Sequence, residues 1–146
     1  MLRRAAHVAS GFKQLRTKWL MTNRRGLIAV VDDDESLCRA LTRLLAANRM
    51  EARSYNSGTT FLNEFANFDF SCIVLDLHME TLSGIQVMER LAAMQAAAPV
   101  IIMTGNVVQN ARKAAFDGGA KAFLEKPIDE AVLVSTISQV TLGGMQ

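Results

Sequence analysis

The sequence predicts a three-layer α/β/α domain around a five-stranded parallel sheet of order 2-1-3-4-5, and two patterns carry that prediction. From residue 27 onward, short apolar runs alternate with amphipathic stretches in the order βαβαβαβαβα, repeating about every twenty to twenty-five residues, as βαβ units do. The runs LIAVV, CIVL and VIIM are unbroken aliphatic stretches, which is what strands covered by helices on both faces require. The chain has 146 residues. At ~100–200 residues per domain that is one domain, or one domain with an appendage. A domain of this size buries roughly two-thirds of its unfolded surface, enough for a core without metal or disulfide staples.

Each element has its own signal. Residues 27–31 (LIAVV) form the first strand. After the acids 32–35, Leu37, Leu41, Leu44 and Leu45 recur with Ala40 at helical spacing. Asp34 caps that helix, its charge favoured by the helix N-terminal dipole. Residues 51–54 make a short strand, and residues 58–66 a helix that buries Phe61 and Phe65. Residues 72–75 (CIVL) are a second buried strand, followed by a helix over 84–95 showing Ile85, Met88 and Leu91 to the core. Pro99 cannot continue that helix and biases Ala98 to extended backbone. Residues 100–103 (VIIM) are a third buried strand, and 107–116 a helix closed by Asp117-Gly118-Gly119. Residues 121–125 (KAFLE) form the last strand, and 129–141 the final helix with Asp129 as its N-cap.

Composition narrows the function classes. Half of the residues are hydrophobic, which excludes a disordered chain. No apolar run approaches the ~20 residues of a membrane span. Cys38 and Cys72 stand in apolar surroundings without CxxC or histidine spacing, so they read as reduced core thiols suited to the cytoplasm. The eight methionines are scattered and read as core filler. The net charge of +2 hides an asymmetry. Residues 1–26 carry Arg3, Arg4, Lys13, Arg16, Lys18, Arg24 and Arg25 and no acid, a net of +7. The remaining nine basic residues face all fourteen acidic ones, a net of −5 for residues 27–146. The sequence pI near 8.7 therefore belongs to the first segment alone, and the body is acidic. Any phosphate site in that body has to neutralise charge locally, with a metal or a placed lysine.

The chemistry falls at the strand ends, where open parallel sheets bind ligands. Asp32 and Asp33 follow the first strand, Asp76 the third, Thr104 the fourth and Lys126 the fifth. Order 2-1-3-4-5 makes these ends neighbours. Three adjacent carboxylates repel, and become tolerable around a hard divalent cation such as Mg²⁺, which takes oxygen ligands and keeps several waters. Lys126 can pair with a phosphoryl oxygen and Thr104 can donate to another. Phosphoryl transfer needs mainly positioning and charge neutralisation. A carboxylate between metal and lysine can also attack phosphorus to give an acyl phosphate. Asp76, alone on the central strand end, is the candidate nucleophile.

The segments IAVVDDDESL, IVLDLHM, IIMTGN and AFLEKP resemble the receiver domain of two-component response regulators, the chemotaxis-regulator, flavodoxin-like fold. The resemblance covers residues 27 to about 142, and its wording is closest to the nitrogen-fixation regulator branch. It implies that Asp76 is the phosphorylated residue. It also implies that Asp32, Asp33, Asp76 and the backbone carbonyl of His78 hold Mg²⁺ or Mn²⁺, with Asp33 the likelier direct carboxylate of the acidic pair. Thr104 becomes the switch hydroxyl, Phe123 the aromatic whose rotamer reports the switch, and Lys126 the phosphoryl-binding lysine. Lys126–Pro127 is expected to be a cis peptide, and Ser83-Gly84 and Gly105 fit the family pattern. His78 and Asn106 occupy the positions that set acyl-phosphate lifetime. Glu80 departs from the family, which usually has proline there.

These readings define expectations. Residues 27–146 form a receiver that is not an enzyme, and takes a phosphoryl group from a sensor histidine kinase or a histidine phosphotransfer protein. It signals to a downstream protein through the face of the fourth helix, fifth strand and fifth helix, or by a phosphorylation-dependent homodimer, without direct nucleic-acid contact. The alternatives are a small Mg²⁺-dependent phosphatase with an aspartate nucleophile, or a fragment of a longer DNA-binding regulator. The phosphatase would place a second aspartate where His78 stands. Residues 1–26 read as a basic extension above a start at Met21. As a genuine segment, its Val8, Phe12, Leu15 and Trp19 stripe beside arginines would suit an anionic membrane surface, and its lack of acids resembles a transit peptide.

Overall fold

A computed structural model describes residues 26–143, so the basic extension, apart from Gly26, lies outside the described residues. Strands β1 (Leu27–Val31), β2 (Ala52–Tyr55), β3 (Phe70–Asp76), β4 (Val100–Thr104) and β5 (Ala122–Glu125) pair in parallel in the order β2-β1-β3-β4-β5. Helices α1 (Glu35–Ala47), α2 (Gly58–Glu64), α3 (Gly84–Ala93), α4 (Ala111–Asp117) and α5 (Glu130–Gly143) cover the two faces.

The unbroken strands have the cause the sequence suggests. In β1, Leu27, Ala29 and Val31 enter a core with Phe61 of α2, Val87 and Leu91 of α3 and Ala115 of α4. Ile28 and Val30 enter a second core with Cys38, Leu41 and Leu45 of α1 and Leu133 and Ile137 of α5. Alternate side chains of one strand feed opposite layers, so no position is free to be polar until the strand ends. Tyr55, Phe61, Phe65 and Phe70 pack ring against ring under α2, with centroids 5.4–6.3 Å apart.

Caps fix where the helices begin. Asp34 accepts from the Leu37 amide (3.1 Å) and Asp129 from the Val132 amide (3.0 Å). Ser83 and Gln86 form a reciprocal capping box at α3. Most boundaries shift by a residue or two, and two of the departures have a visible cause. β3 starts at Phe70, because Ser71 of β3 bulges between the Leu27–Phe70 and Ile28–Cys72 pairs and the ladder continues past it. The fourth helix starts at Ala111 rather than 107: Asn110 adopts φ 72, which no helix accommodates, and Val107 and Val108 are 53% and 48% exposed. α4 buries only two alanines, Ala111 and Ala115. So little buried apolar area holds α4 only weakly against the sheet.

Both cysteines are free and buried. Burial, aided by the Asp32 charge, pushes the Cys38 thiol up to about 11, and burial pushes Cys72 up to about 12. Thiolate, the reactive form, is therefore scarce at neutral pH. We expect a chromogenic disulfide reagent at pH 8 to titrate neither thiol in the native described domain and both after denaturation. Fast native labelling would show that one of them is accessible.

Candidate functional site: an acidic pocket at the strand ends

The sheet delivers Asp32, Asp33, Asp76, Thr104 and Lys126 to one edge. β1 ends on Val31, so Asp32 and Asp33 leave the sheet directly, with Asp32 wholly buried and Asp33 exposed. The Asp32 amide still donates to the Tyr55 carbonyl (3.0 Å), which fixes the backbone just beyond the strand. Asp76 closes β3 at 4% exposure, and Thr104 closes β4 with none. Lys126 follows β5, and its amide donates to the Thr104 carbonyl at 2.7 Å. The Lys126–Pro127 peptide is cis.

Carboxylate oxygens of Asp32, Asp33 and Asp76 lie within 4.8 Å of one another. Lys126 Nζ reaches Asp32 Oδ2 at 2.7 Å and Asp76 Oδ1 at 3.3 Å. The Asp34 amide donates to Asp32 Oδ1 at 2.9 Å. One ammonium against three carboxylates leaves the pocket negative, and burial makes that imbalance costly. Burial, then the Asp32 charge, raises the Asp76 carboxyl above the ordinary carboxylate range, and Lys126 offsets this only in part. Burial pulls Lys126 down, but its hydrogen bond and charge contact with Asp32, then Asp76, more than offset it and hold the ammonium above its usual value.

This donor set suits a hard cation. Oxygens alone are offered, as Mg²⁺ and Mn²⁺ prefer. The 4.8 Å spread slightly exceeds the ~4.2 Å trans span of an octahedral shell with ~2.1 Å bonds.

The remaining predicted residues sit around this centre. Thr104 Oγ1 donates to the Asn106 carbonyl (3.1 Å) and accepts from the Asn106 amide (3.2 Å), so its hydroxyl is engaged by the following loop. The His78 side chain is exposed, and its backbone amide supports the Asp76 carboxylate. Phe123 is not part of the acidic cluster. It lies in the core paired with Ile102, at 8% exposure. Glu80, where the family usually has proline, lines a hollow of about 80 Å³ together with Asp33, Asn56 and Ser57. A larger hollow of about 460 Å³ between α1, β2 and α2 holds none of the strand-end groups. Sequence reasoning missed Arg112, whose guanidinium lies over two phenylalanine rings; only the i, i+4 spacing of Arg112 and Phe116 hinted at it.

A parallel sheet whose strand ends gather three carboxylates, a hydroxyl and an amine has the groups that phosphoryl chemistry needs. The chain belongs to the response regulator receiver domain family, whose model matches residues 28–138. It is 33% identical over 110 residues to the transcriptional regulatory protein FixJ of Azorhizobium caulinodans, covering 75% of this chain and 52% of that protein. It is 30% identical over 117 residues to the response regulator protein TmoT of Ectopseudomonas mendocina, covering 80% and 53%. The chain thus spans about half the length of these relatives. A response regulator receiver protein from Burkholderia phymatum superposes with a TM-score of 0.72 at 35% identity, covering 80% of this chain and 94% of that one. A CheY-like receiver domain protein from Methanospirillum hungatei shares the fold, with a TM-score of 0.78 at 19% identity, covering 82% and 96%. Among the described residues, no helix is long and apolar enough to cross a membrane.

Proposed function

We propose that Asp76 is the phosphoryl acceptor of this receiver, and that the donor is a phosphohistidine on a sensor kinase or phosphotransfer protein. The observation that carries the reading is the buried Asp76 carboxylate held between Lys126 and the Asp32–Asp33 pair. An Asp76 oxygen attacks phosphorus, the phosphorus–nitrogen bond breaks, and the imidazole leaves with the electron pair and takes a proton from solvent. A Mg²⁺ or Mn²⁺ ion held by Asp32, Asp33, Asp76 and the His78 carbonyl supplies neutralisation of the phosphoryl charge. Lys126 exchanges its contact with Asp76 for a phosphoryl oxygen, keeping the ammonium beside the new charge. Thr104 exchanges its bonds to Asn106 for a phosphoryl oxygen, and the loop before α4 loses its anchor.

That local charge event shifts the population of a weakly held element. α4, with its two buried alanines, is the element free to respond. The face of α4, β5 and α5 then carries the signal to a protein partner or to a second copy of the chain, with Phe123 following Thr104. His78 and Asn106 flank the acyl phosphate and set its lifetime. The chain acts in the cytoplasm as a phosphoacceptor rather than as an enzyme.

Incubation with Mg²⁺ and acetyl phosphate, followed by intact-mass measurement, tests the reading. A ~80 Da adduct is expected, the mass of one acyl-linked phosphoryl group, and chelation of the metal by EDTA before the donor is added erases it. An adduct that forms equally in EDTA would remove the cation from the mechanism. No adduct under either condition would remove the acceptor role.

A further inference from the structure

Phe123 of β5 sits beneath an arginine that the chemistry of the acidic pocket does not use. Arg112, exposed in the first turn of α4, places its guanidinium carbon 5.2 Å from the ring centroid of Phe116, one turn along the same helix. The same carbon lies 5.8 Å from the Phe123 centroid. Both distances fall inside the ~6 Å reach of a cation over an aromatic ring. Among the described residues no carboxylate is within ion-pair reach of Arg112, so the rings are its partners. Phe116 is 39% exposed and Phe123 only 8%; the guanidinium covers the inner ring from outside.

Phe123 belongs to the core layer that also holds Ile102 and the alanines Ala111, Ala115 and Ala120. The β4–β5 register pairs Phe123 with Ile102, two residues before Thr104. Side chains two apart share a sheet face, so Thr104 and the Phe123 ring lie on the same side of neighbouring strands.

We propose that Arg112 is a positioning residue: its guanidinium, seated over Phe116 and Phe123, holds the Phe123 ring buried and thereby favours the phosphorylated arrangement of Thr104. This inference rests on the reading of Asp76 as the acceptor. When Thr104 leaves Asn106 for a phosphoryl oxygen, it vacates space beside Ile102. A ring held inward fills that space, whereas a ring turned outward leaves a void. Uptake draws on the population with the ring inward, so a residue that enlarges that population raises phosphoryl uptake.

The test places 4-fluorophenylalanine at position 123 of the full chain and reads ring exposure from the fluorine shift between light and heavy water, with no phosphoryl donor present. A small solvent shift is expected with Arg112 in place, a larger one in Arg112→Gln, and an intermediate one in Arg112→Lys, which keeps the charge but not the planar stacking group. In unlabelled chains, Arg112→Gln lowers the initial rate of uptake from acetyl phosphate and Mg²⁺ by roughly two- to five-fold, the range of an exposed cation–ring contact. Arg112→Lys recovers part of that loss, and circular dichroism is unchanged in both. An unaltered fluorine shift in Arg112→Gln overturns the proposal, as does an exposed ring with an unaltered uptake rate. A ring that responds to Arg112 in a chain that takes up no phosphoryl group sinks the Asp76 reading and leaves the ring-holding role standing.

Discussion

Asp76→Asn takes up no measurable phosphoryl group from acetyl phosphate and Mg²⁺, a loss of more than about 100-fold, because a neutral amide cannot form an acyl phosphate. The neighbouring acids do not substitute for it. Asp32 is committed to Lys126 at 2.7 Å and to the Asp34 amide at 2.9 Å. Asp33 is exposed to water, away from the ammonium that would receive the phosphoryl charge. Intact-mass measurement on wild type and variant checks the outcome, and an equal adduct in both would take Asp76 out of its assigned role.

The same variant carries a second expectation of opposite sign. The Asp76 carboxyl is raised above its ordinary range by burial and then by Asp32. The native chain therefore holds that proton more tightly than the unfolded chain, whose carboxyl titrates near ~3.9. Between that value and the higher native one, the folded state binds more protons, so stability falls as pH rises. The penalty grows as pH rises through that window and is absent once both states are protonated. Asp76→Asn escapes it. At pH 7 we expect the variant to be more stable by on the order of 1 kcal/mol, the size typical of relieving a functional-site strain. That corresponds to a Tm gain of roughly 3–6 °C for a domain this size. The gain shrinks on acidification below the unfolded carboxylate range. Mg²⁺ stabilises wild type more than the variant, because a ligand stabilises the state that binds it. A variant that loses both phosphorylation and stability would mean that Asp76 serves the fold first.

How much of this was legible before any coordinates depends on where the physics is local. β1, β3 and β4 could be read because burial on both faces forbids polar residues along the strand, and the first polar residues then mark the strand ends. The convergence of Asp32, Asp33, Asp76, Thr104 and Lys126 followed from strand order alone. Which acid holds the amine did not follow: Asp32 is the nearer partner, at 2.7 Å against 3.3 Å for Asp76, and spacing in sequence carries no such distance. The start of α4 was also hidden. Val107 and Val108 look like helix-face residues, but the Thr104–Asn106 bonds, the turn closed by the Ala111 amide on the Val108 carbonyl and the left-handed Asn110 keep the segment out of the helix, and both valines remain outside the core. Arg112 was hidden because one of its two rings, Phe123, lies on β5 and spacing along the helix does not reveal it.

Gly84→Ala is the stability change with the largest expected cost, and its cause is backbone meeting backbone. Gly84 opens α3 directly over the end of β3, and its amide donates to the Leu77 carbonyl at 2.8 Å. A Cβ there would lie 2.6 Å from the Asp76 carbonyl oxygen and 2.9 Å from the Leu77 Cα. Neither atom can rotate away. Leu77 is tied to β4 by the hydrogen bond its amide donates to the Met103 carbonyl at 2.8 Å, so relief requires α3 or the acceptor itself to move. Overpacking of this kind costs about 1–3 kcal/mol, and rigid backbone on both sides puts Gly84→Ala at the upper end. Displacing the acceptor backbone also slows phosphoryl uptake by about ten-fold or more, since a ~1 Å misplacement in a positioned site can cost a hundred-fold. Two other glycines calibrate the argument. At Gly58 the new Cβ meets Val87 Cγ2 at 2.6 Å, a methyl of a stiff, buried side chain, so Gly58→Ala is also costly, but relief needs side-chain repacking rather than backbone movement and the cost is smaller. At Gly105 the nearest atom is Lys126 Cδ at 3.6 Å, ordinary contact, so Gly105→Ala leaves the unfolding midpoint nearly unchanged. Urea midpoints should therefore fall in the order Gly105→Ala, Gly58→Ala, Gly84→Ala. Equal midpoints for the three would mean that close approach of α3 to the acceptor strand is not what demands glycine at position 84.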